Sequence, residues 1–147
     1  MKPKFIDYYM KIADVTAGLS YAKRLHVGAV IVRDNQILAT GYNGMPSGWE
    51  NVCETETYDA DGFHITLKTK PEVLHAETNA IAKVAQSTES SAGSTLFCTH
   101  APCIECAKLI YQSGIKTVYY KDEYRSDAGL NFLKLSGVNV HQHTDSI

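Results

Sequence analysis

Two short clusters, His75-Ala76-Glu77 and Pro102-Cys103-Ile104-Glu105-Cys106, place an imidazole, a carboxylate and two thiols at fixed spacings. Cys103 and Cys106 are three positions apart, so on a helix their side chains share a face and both sulfurs converge on one tetrahedral ion. A helix N-terminus at that point also favours thiolate over thiol. With His75 the set supplies three ligands and leaves the fourth position to water, as a hydrolytic rather than a structural Zn2+ site requires. Glu77, two residues beyond His75, points elsewhere than the ligand face, which suits a carboxylate that contacts the bound water instead of the metal. Taken singly, the cysteines read equally as buried helix thiols, His75 as a capping or core imidazole and Glu77 as a solvated glutamate. Both clusters together, each at the mouth of a predicted helix, favour zinc.

The elements that must position these groups follow from periodicity. Phe5, Ile6, Tyr9, Met10, Ile12, Ala13, Ala17 and Leu19 recur at helical spacing and predict a helix from Phe5 to Ser20. Val27–Val32 and Ile37–Tyr42 flank Asp34-Asn35 and predict an antiparallel hairpin. Asn43 to Pro71 lacks sustained periodicity and reads as a long loop. Beyond it, helices are expected over His75–Ala85, Cys103–Ser113 and Asp127–Leu135, with Pro102 at a first helical position and stops at Gly114 and Gly137. Strands are expected over Ser94–Thr99, Ile115–Tyr120 and Val138–His143. Strands alternating with helices after residue 75 imply partly parallel pairing, joined to the antiparallel hairpin in one mixed sheet. The expectation is therefore an α/β fold.

Composition bounds the rest. A chain of 147 residues with 44% hydrophobic content supports one domain, 1–147, around one sizeable core. The net charge of -2 argues against a nucleic-acid polymer or an anionic membrane as partner and favours a small substrate. Lys2, Lys4, Asp7 and Lys11 interrupt the apolar residues of the first segment, so neither a signal peptide nor a membrane span is expected and the cytoplasm is the predicted location. In that reducing compartment Cys53, Cys98, Cys103 and Cys106 read as ligands or buried thiols, with Cys98 a small apolar strand residue.

The paired signature of the two clusters is that of zinc deaminases acting on nucleobases. Three further stretches, Arg24 to Gly28, Gly41-Tyr42-Asn43-Gly44-Met45-Pro46-Ser47-Gly48 and Gln112-Ser113-Gly114-Ile115-Lys116, resemble the deoxycytidylate deaminases of the cytidine/deoxycytidylate deaminase superfamily. The resemblance covers about Tyr21 to Asn139 and is poor between 49 and 74. It implies a three-layer α/β/α fold with a mixed five-stranded sheet, and deamination of dCMP to dUMP and ammonia in pyrimidine deoxynucleotide synthesis. Zinc would generate a hydroxide for attack at C4, and Glu77 would carry protons from the water to N3 and to the departing ammonia.

The same resemblance assigns substrate contacts. The Ala76 N–H would orient the base carbonyl, and backbone carbonyls near His100 would meet the amino group. Asn43 would touch sugar or phosphate, Arg24 would face the phosphate, and Tyr124 with Arg125 would close over the nucleotide. On residue type alone, Arg24 and Arg125 are also compatible with solvated charges, and Tyr124 with a core aromatic. The resemblance further implies a homo-oligomer, a hexamer in the first instance, activated by dCTP and inhibited by dTTP, with Mg2+ accompanying the triphosphate. Several relatives carry a second, structural zinc held in part by a cysteine two residues before the position of Arg24. Ala22 stands there in this chain, which leaves Cys53 and His64 as remnants and predicts one zinc per chain.

Three rival functions share parts of this pattern. A tRNA adenosine deaminase has the same metal motif, but it would need a basic footprint, and the tail His141–Ile147 carries Asp145 and no lysine or arginine. A deaminase of cytidine or dCTP would differ only in how much phosphate its pocket accepts. A zinc-stabilised binding module without turnover would have no use for Glu77.

Overall fold

The computed structural model describes residues 1–63 and 65–144, so His64 and Asp145 lie outside the described residues. In chain order the elements are α1 (Pro3–Ala17), β1 (Gly28–Arg33), β2 (Gln36–Tyr42), β3 (Glu54–Tyr58), β4 (Ile65–Thr69), α2 (Ala76–Ala85), β5 (Thr95–His100), α3 (Ile104–Gln112), β6 (Thr117–Asp122), α4 (Ala128–Leu135) and β7 (Asn139–Gln142). The five-stranded sheet runs β2-β1-β5-β6-β7. β1 pairs antiparallel with both β2 and β5, whereas β5-β6 and β6-β7 are parallel. The mixed character has a simple cause: a two-residue turn can join only antiparallel neighbours, and α3 and α4 supply the long crossovers that parallel ones need. Asp34 and Asn35 take φ of 53° and 58°, the backbone of such a turn.

β1 is covered on both faces. Val30 and Val32, with Phe97 of β5, pack on Tyr9, Met10 and Ala13 of α1. Ala29 and Ile31, with Leu96, Cys98 and Val118, pack on Ala80 of α2, Ala107 and Ile110 of α3 and Leu133 of α4. The result is the three-layer α/β/α arrangement, one helix on one side of the sheet and three on the other. Each large side chain fully buried in these layers, such as Phe97 or Ile31, contributes about 1.5–3 kcal/mol of transfer free energy.

The sequence expectations need four corrections. Helix α1 ends at Ala17, so Ser20 is not helical and Leu19 is exposed rather than part of the core face. Pro102 precedes the cap of α3, which is Cys103. β6 starts at Thr117, with Ile115 a buried residue of the approach. The long loop contains an antiparallel ribbon, β3-β4, paired from Glu54↔Thr69 to Tyr58↔Ile65. Its residues are mostly exposed on both faces, so β3 is polar up to Tyr58 and only Ile65 and Leu67 of β4 give a brief apolar alternation, too short to announce a half-buried strand.

Candidate metal centre and active site

His75 is the N-cap of α2 and Cys103 the N-cap of α3, so the two helix N-termini meet where β5 ends. Neither cap makes a side-chain hydrogen bond to its helix, which leaves both side chains to face one another. The His75 Nδ1 lies 3.2 Å from the Cys106 Sγ and 3.5 Å from the Cys103 Sγ. All three ligand atoms fall within 4.8 Å of one another. His75 is exposed, Cys103 half-buried and Cys106 buried, so the set opens on one side only.

Two glycines let these helices come close. A Cβ at Gly41 of β2 would stand 2.7 Å from the Ala80 nitrogen and strike the Ala76 carbonyl, so only glycine allows α2 to lie this near the sheet. A Cβ at Gly129 of α4 would stand 2.8 Å from the Cys103 carbonyl carbon, which ties α4 to the metal-binding turn. Gly44 bridges Leu74 through paired backbone bonds of 3.1 and 2.8 Å, and the Asn79 amide donates to the Tyr42 carbonyl at 2.8 Å. The glycine-rich turn after β2 therefore fixes the backbone on both sides of His75.

The donor set fits Zn2+. Hydrogen bonding from Cys106, then His75, lowers the Cys103 thiol to about 3, while the shared bond to Cys103 and burial raise Cys106. The two sulfurs contend for one proton, and the Cys103 sulfur holds the His75 ring above its ordinary value. A soft divalent cation between two thiolates and a neutral imidazole removes that conflict. Cys98 behaves differently. It is fully buried, its thiol is raised by burial, and it lies outside the ligand set, as expected for an apolar strand residue. Cys53 is buried and belongs to no three-ligand group among the described residues.

Glu77, in the first turn of α2, is 4% exposed yet lines the cleft, and burial raises its carboxyl above the ordinary value. A buried carboxylate of raised pKa beside a metal-ligand set can hold a proton and release it again. The cleft above has a volume of about 590 Å³. Its walls bring together His75, Ala76, Glu77 and Cys103 with Arg24, Asn43, Tyr124 and Arg125, and Cys106 joins them through the ligand set. Ala76 opens α2, so its N–H is one of the first-turn donors that no helical carbonyl takes. Arg24 and Arg125 are exposed at the rim, Tyr124 is half-buried, and the Arg125 guanidinium sits 5.5 Å from the Tyr124 ring centre. The Asn43 side chain accepts from the Val27 N–H at 2.9 Å and donates to the Leu25 carbonyl at 2.8 Å, and so braces the Arg24 loop.

Among the wall residues that the sequence left unmarked are Glu54 and Thr69, both on the β3-β4 ribbon. The usable signal was Asp61-Gly62, a hairpin turn pair, between the polar alternation Glu54-Thr55-Glu56-Thr57 and Ile65-Thr66-Leu67-Lys68. Among the described residues no helix is long and apolar enough to cross a membrane.

Known proteins are similar to this chain. The dCMP deaminase of cyanophage S-TIM5, solved with dCMP and dUMP, superposes with a TM-score of 0.88 at 47% identity over 97% of this chain and 99% of its own. Deoxycytidylate deaminase of Saccharomyces cerevisiae is 34% identical over 97% of this chain, which spans 46% of that protein's length. ComE operon protein 2 of Bacillus subtilis is 36% identical over 92% of this chain and 69% of its own. Residues 3–122 match the family described as the cytidine and deoxycytidylate deaminase zinc-binding region, and with the His75, Cys103 and Cys106 set in place the chain belongs to that family.

Proposed function

We propose that this chain hydrolyses the 4-amino group of dCMP, so that water's oxygen replaces nitrogen at C4 and dUMP and ammonia leave. The observation that carries this reading is the placement of Arg24 and Arg125 on the rim of the cleft whose floor holds Glu77 and the zinc ligands. The cyanophage S-TIM5 enzyme, solved with dCMP and dUMP, supports the same substrate. When bound, Zn2+ supplies a Lewis acid that makes a water nucleophilic at neutral pH. Glu77 takes the proton of that water and returns protons to ring N3 and to the leaving amino group. The Ala76 N–H holds the base carbonyl, and the carbonyls of His100 and Ala101, both in the cleft wall, receive the amino group. Arg24 and Arg125 hold the phosphate, and Asn43 and Tyr124 meet the sugar and base between them. Phosphate contacts remote from C4 hold the ring in attack geometry, so they act on rate as well as affinity.

Comparing kcat/KM for deoxycytidine, dCMP and dCTP at fixed ionic strength tests the proposal. Two charge-assisted contacts favour dCMP over the nucleoside by roughly a hundredfold or more. Equal values would refute a phosphate pocket, and a dCTP preference would keep the chemistry but correct the substrate.

Regulation and assembly rest on the family resemblance. It supports a cytoplasmic homo-oligomer, a hexamer, activated by dCTP, inhibited by dTTP and taking Mg2+ with the triphosphate. The exposed Trp49, Val52 and Phe63 around the ribbon are apolar surface of the kind that association covers. A second cleft of about 560 Å³ beside the glycine-rich turn offers Lys70 but also Glu50 and Glu72, so an anion there would need compensation by a cation or a partner. Rate curves unchanged at triphosphate levels shown to bind would sink the regulatory reading.

A further inference from the structure

We propose that Glu54 is a positioning residue for phosphate recognition, its carboxylate fixing the loop that presents Arg24. This inference rests on the reading of Arg24 as a phosphate ligand. Residues 22–27, between α1 and β1, form no helix or strand. Glu54 reaches them from β3, a distant part of the chain. Only 6% exposed, its Oε1 accepts the Lys23 N–H at 2.8 Å and the Arg24 N–H at 3.2 Å. Its register partner across the ribbon, Thr69, accepts from the Arg24 guanidinium at 3.3 Å. One rung of β3-β4 therefore holds both the backbone and the side chain of the arginine. Asn43 braces the far end of the loop at Leu25 and Val27, and His26 closes it through a 2.6 Å contact with the Ala22 carbonyl.

A carboxylate in the wall of a phosphate-binding cleft repels its ligand unless its charge is engaged elsewhere. Here two backbone donors engage it, and charge-assisted bonds of that kind are the strong ones. The gain is preorganisation. Arg24 is long and exposed, and a backbone already fixed lowers the ordering cost that phosphate binding must meet. The ribbon that looks like an inserted loop in sequence acts as a clip on the substrate's anion site.

The test uses the zinc-loaded enzyme and the ratio of kcat/KM for dCMP to that for deoxycytidine. Glu54→Gln keeps the shape but not the charge, and we expect the ratio to fall about tenfold, the effect of weakening one charge-assisted contact. Thr69→Val, which leaves Glu54 intact, should lower the ratio by about two- to threefold, in line with the loss of a neutral contact. In an Arg24→Ala background Glu54→Gln should lower it by less than about twofold more, because both changes act through the same contact. Hydrogen exchange at the Lys23 and Arg24 amides should accelerate in Glu54→Gln while zinc content stays at the parent level. Equal losses on both substrates, or full additivity with Arg24→Ala, would overturn the proposal by making Glu54 a general support. If Arg24→Ala leaves the ratio intact, the phosphate reading itself falls and takes this inference with it. If Arg24→Ala lowers the ratio but Glu54→Gln and Thr69→Val do not, the Glu54 role alone is wrong.

Discussion

The floor and the rim of the cleft are built in opposite ways. On the floor, His75, Glu77, Cys103 and Cys106 come from two helix N-termini, packed under glycines that admit no side chain. At the rim, Arg24, Arg125 and most of the ribbon are exposed, and the Arg24 loop is tied to the ribbon by a few side-chain bonds between segments far apart in sequence. Chemistry demands fixed distances to a metal and so rests on backbone packing. Under the proposed function, selection of the phosphate needs a charge at the right place, which the loop held by Glu54 and Thr69 would provide.

That division predicts which substitutions act on what. Glu77→Gln, on the floor, should keep zinc by metal analysis yet lose about 10²- to 10⁴-fold in kcat, the usual worth of a positioned acid–base group. Turnover within about tenfold of the parent, only ~1.4 kcal/mol of barrier, would remove Glu77 from the proton path.

Gly129→Ala blurs floor and fold together, because its methyl meets the backbone of Pro102 and Cys103. Overpacking of this kind costs about 1–3 kcal/mol, which lowers Tm by a few degrees in a chain of this size. Zinc should also be lost more readily to a chelator. A variant with unchanged Tm and zinc retention would break the claim that α4 positions the metal turn.

Arg125→Ala, at the rim, should lower the dCMP preference about tenfold with zinc and Tm intact, and added salt should erode the parent's preference in the same direction. Equal loss on deoxycytidine would move Arg125 from phosphate selection to the chemistry.

The smallest effect belongs to the outermost ion pair. Lys23 and Glu56 meet at 2.9 Å, but both are solvent-exposed, and such pairs contribute little. Glu56→Gln should change neither Tm nor the substrate ratio measurably. A loss comparable with Glu54→Gln would mean that the ribbon acts through surface charge instead of a buried clip.

The floor was legible in sequence because its determinants are local. His75-Ala76-Glu77 and Cys103 to Cys106 each lie within one turn of one helix, and helical spacing alone says which atoms share a face. The sheet was legible for a similar reason: β1, β2, β5 and β6 bury at least one face and so carry apolar runs or alternation. The ribbon was read as loop, since strands without a buried face leave only a faint hydrophobic record, here Ile65 and Leu67, and Glu54 looked like any polar loop residue. Sequence by itself determined that His75, Cys103 and Cys106 gather with Glu77 beside them, and it determined the layered α/β core. Only the tertiary structure decided that Glu54 and Thr69 stand over the Arg24 loop, and that Gly129 lies against Cys103. Those contacts join residues 30, 45 and 26 positions apart, and no local periodicity encodes which distant segments will touch once the core has closed.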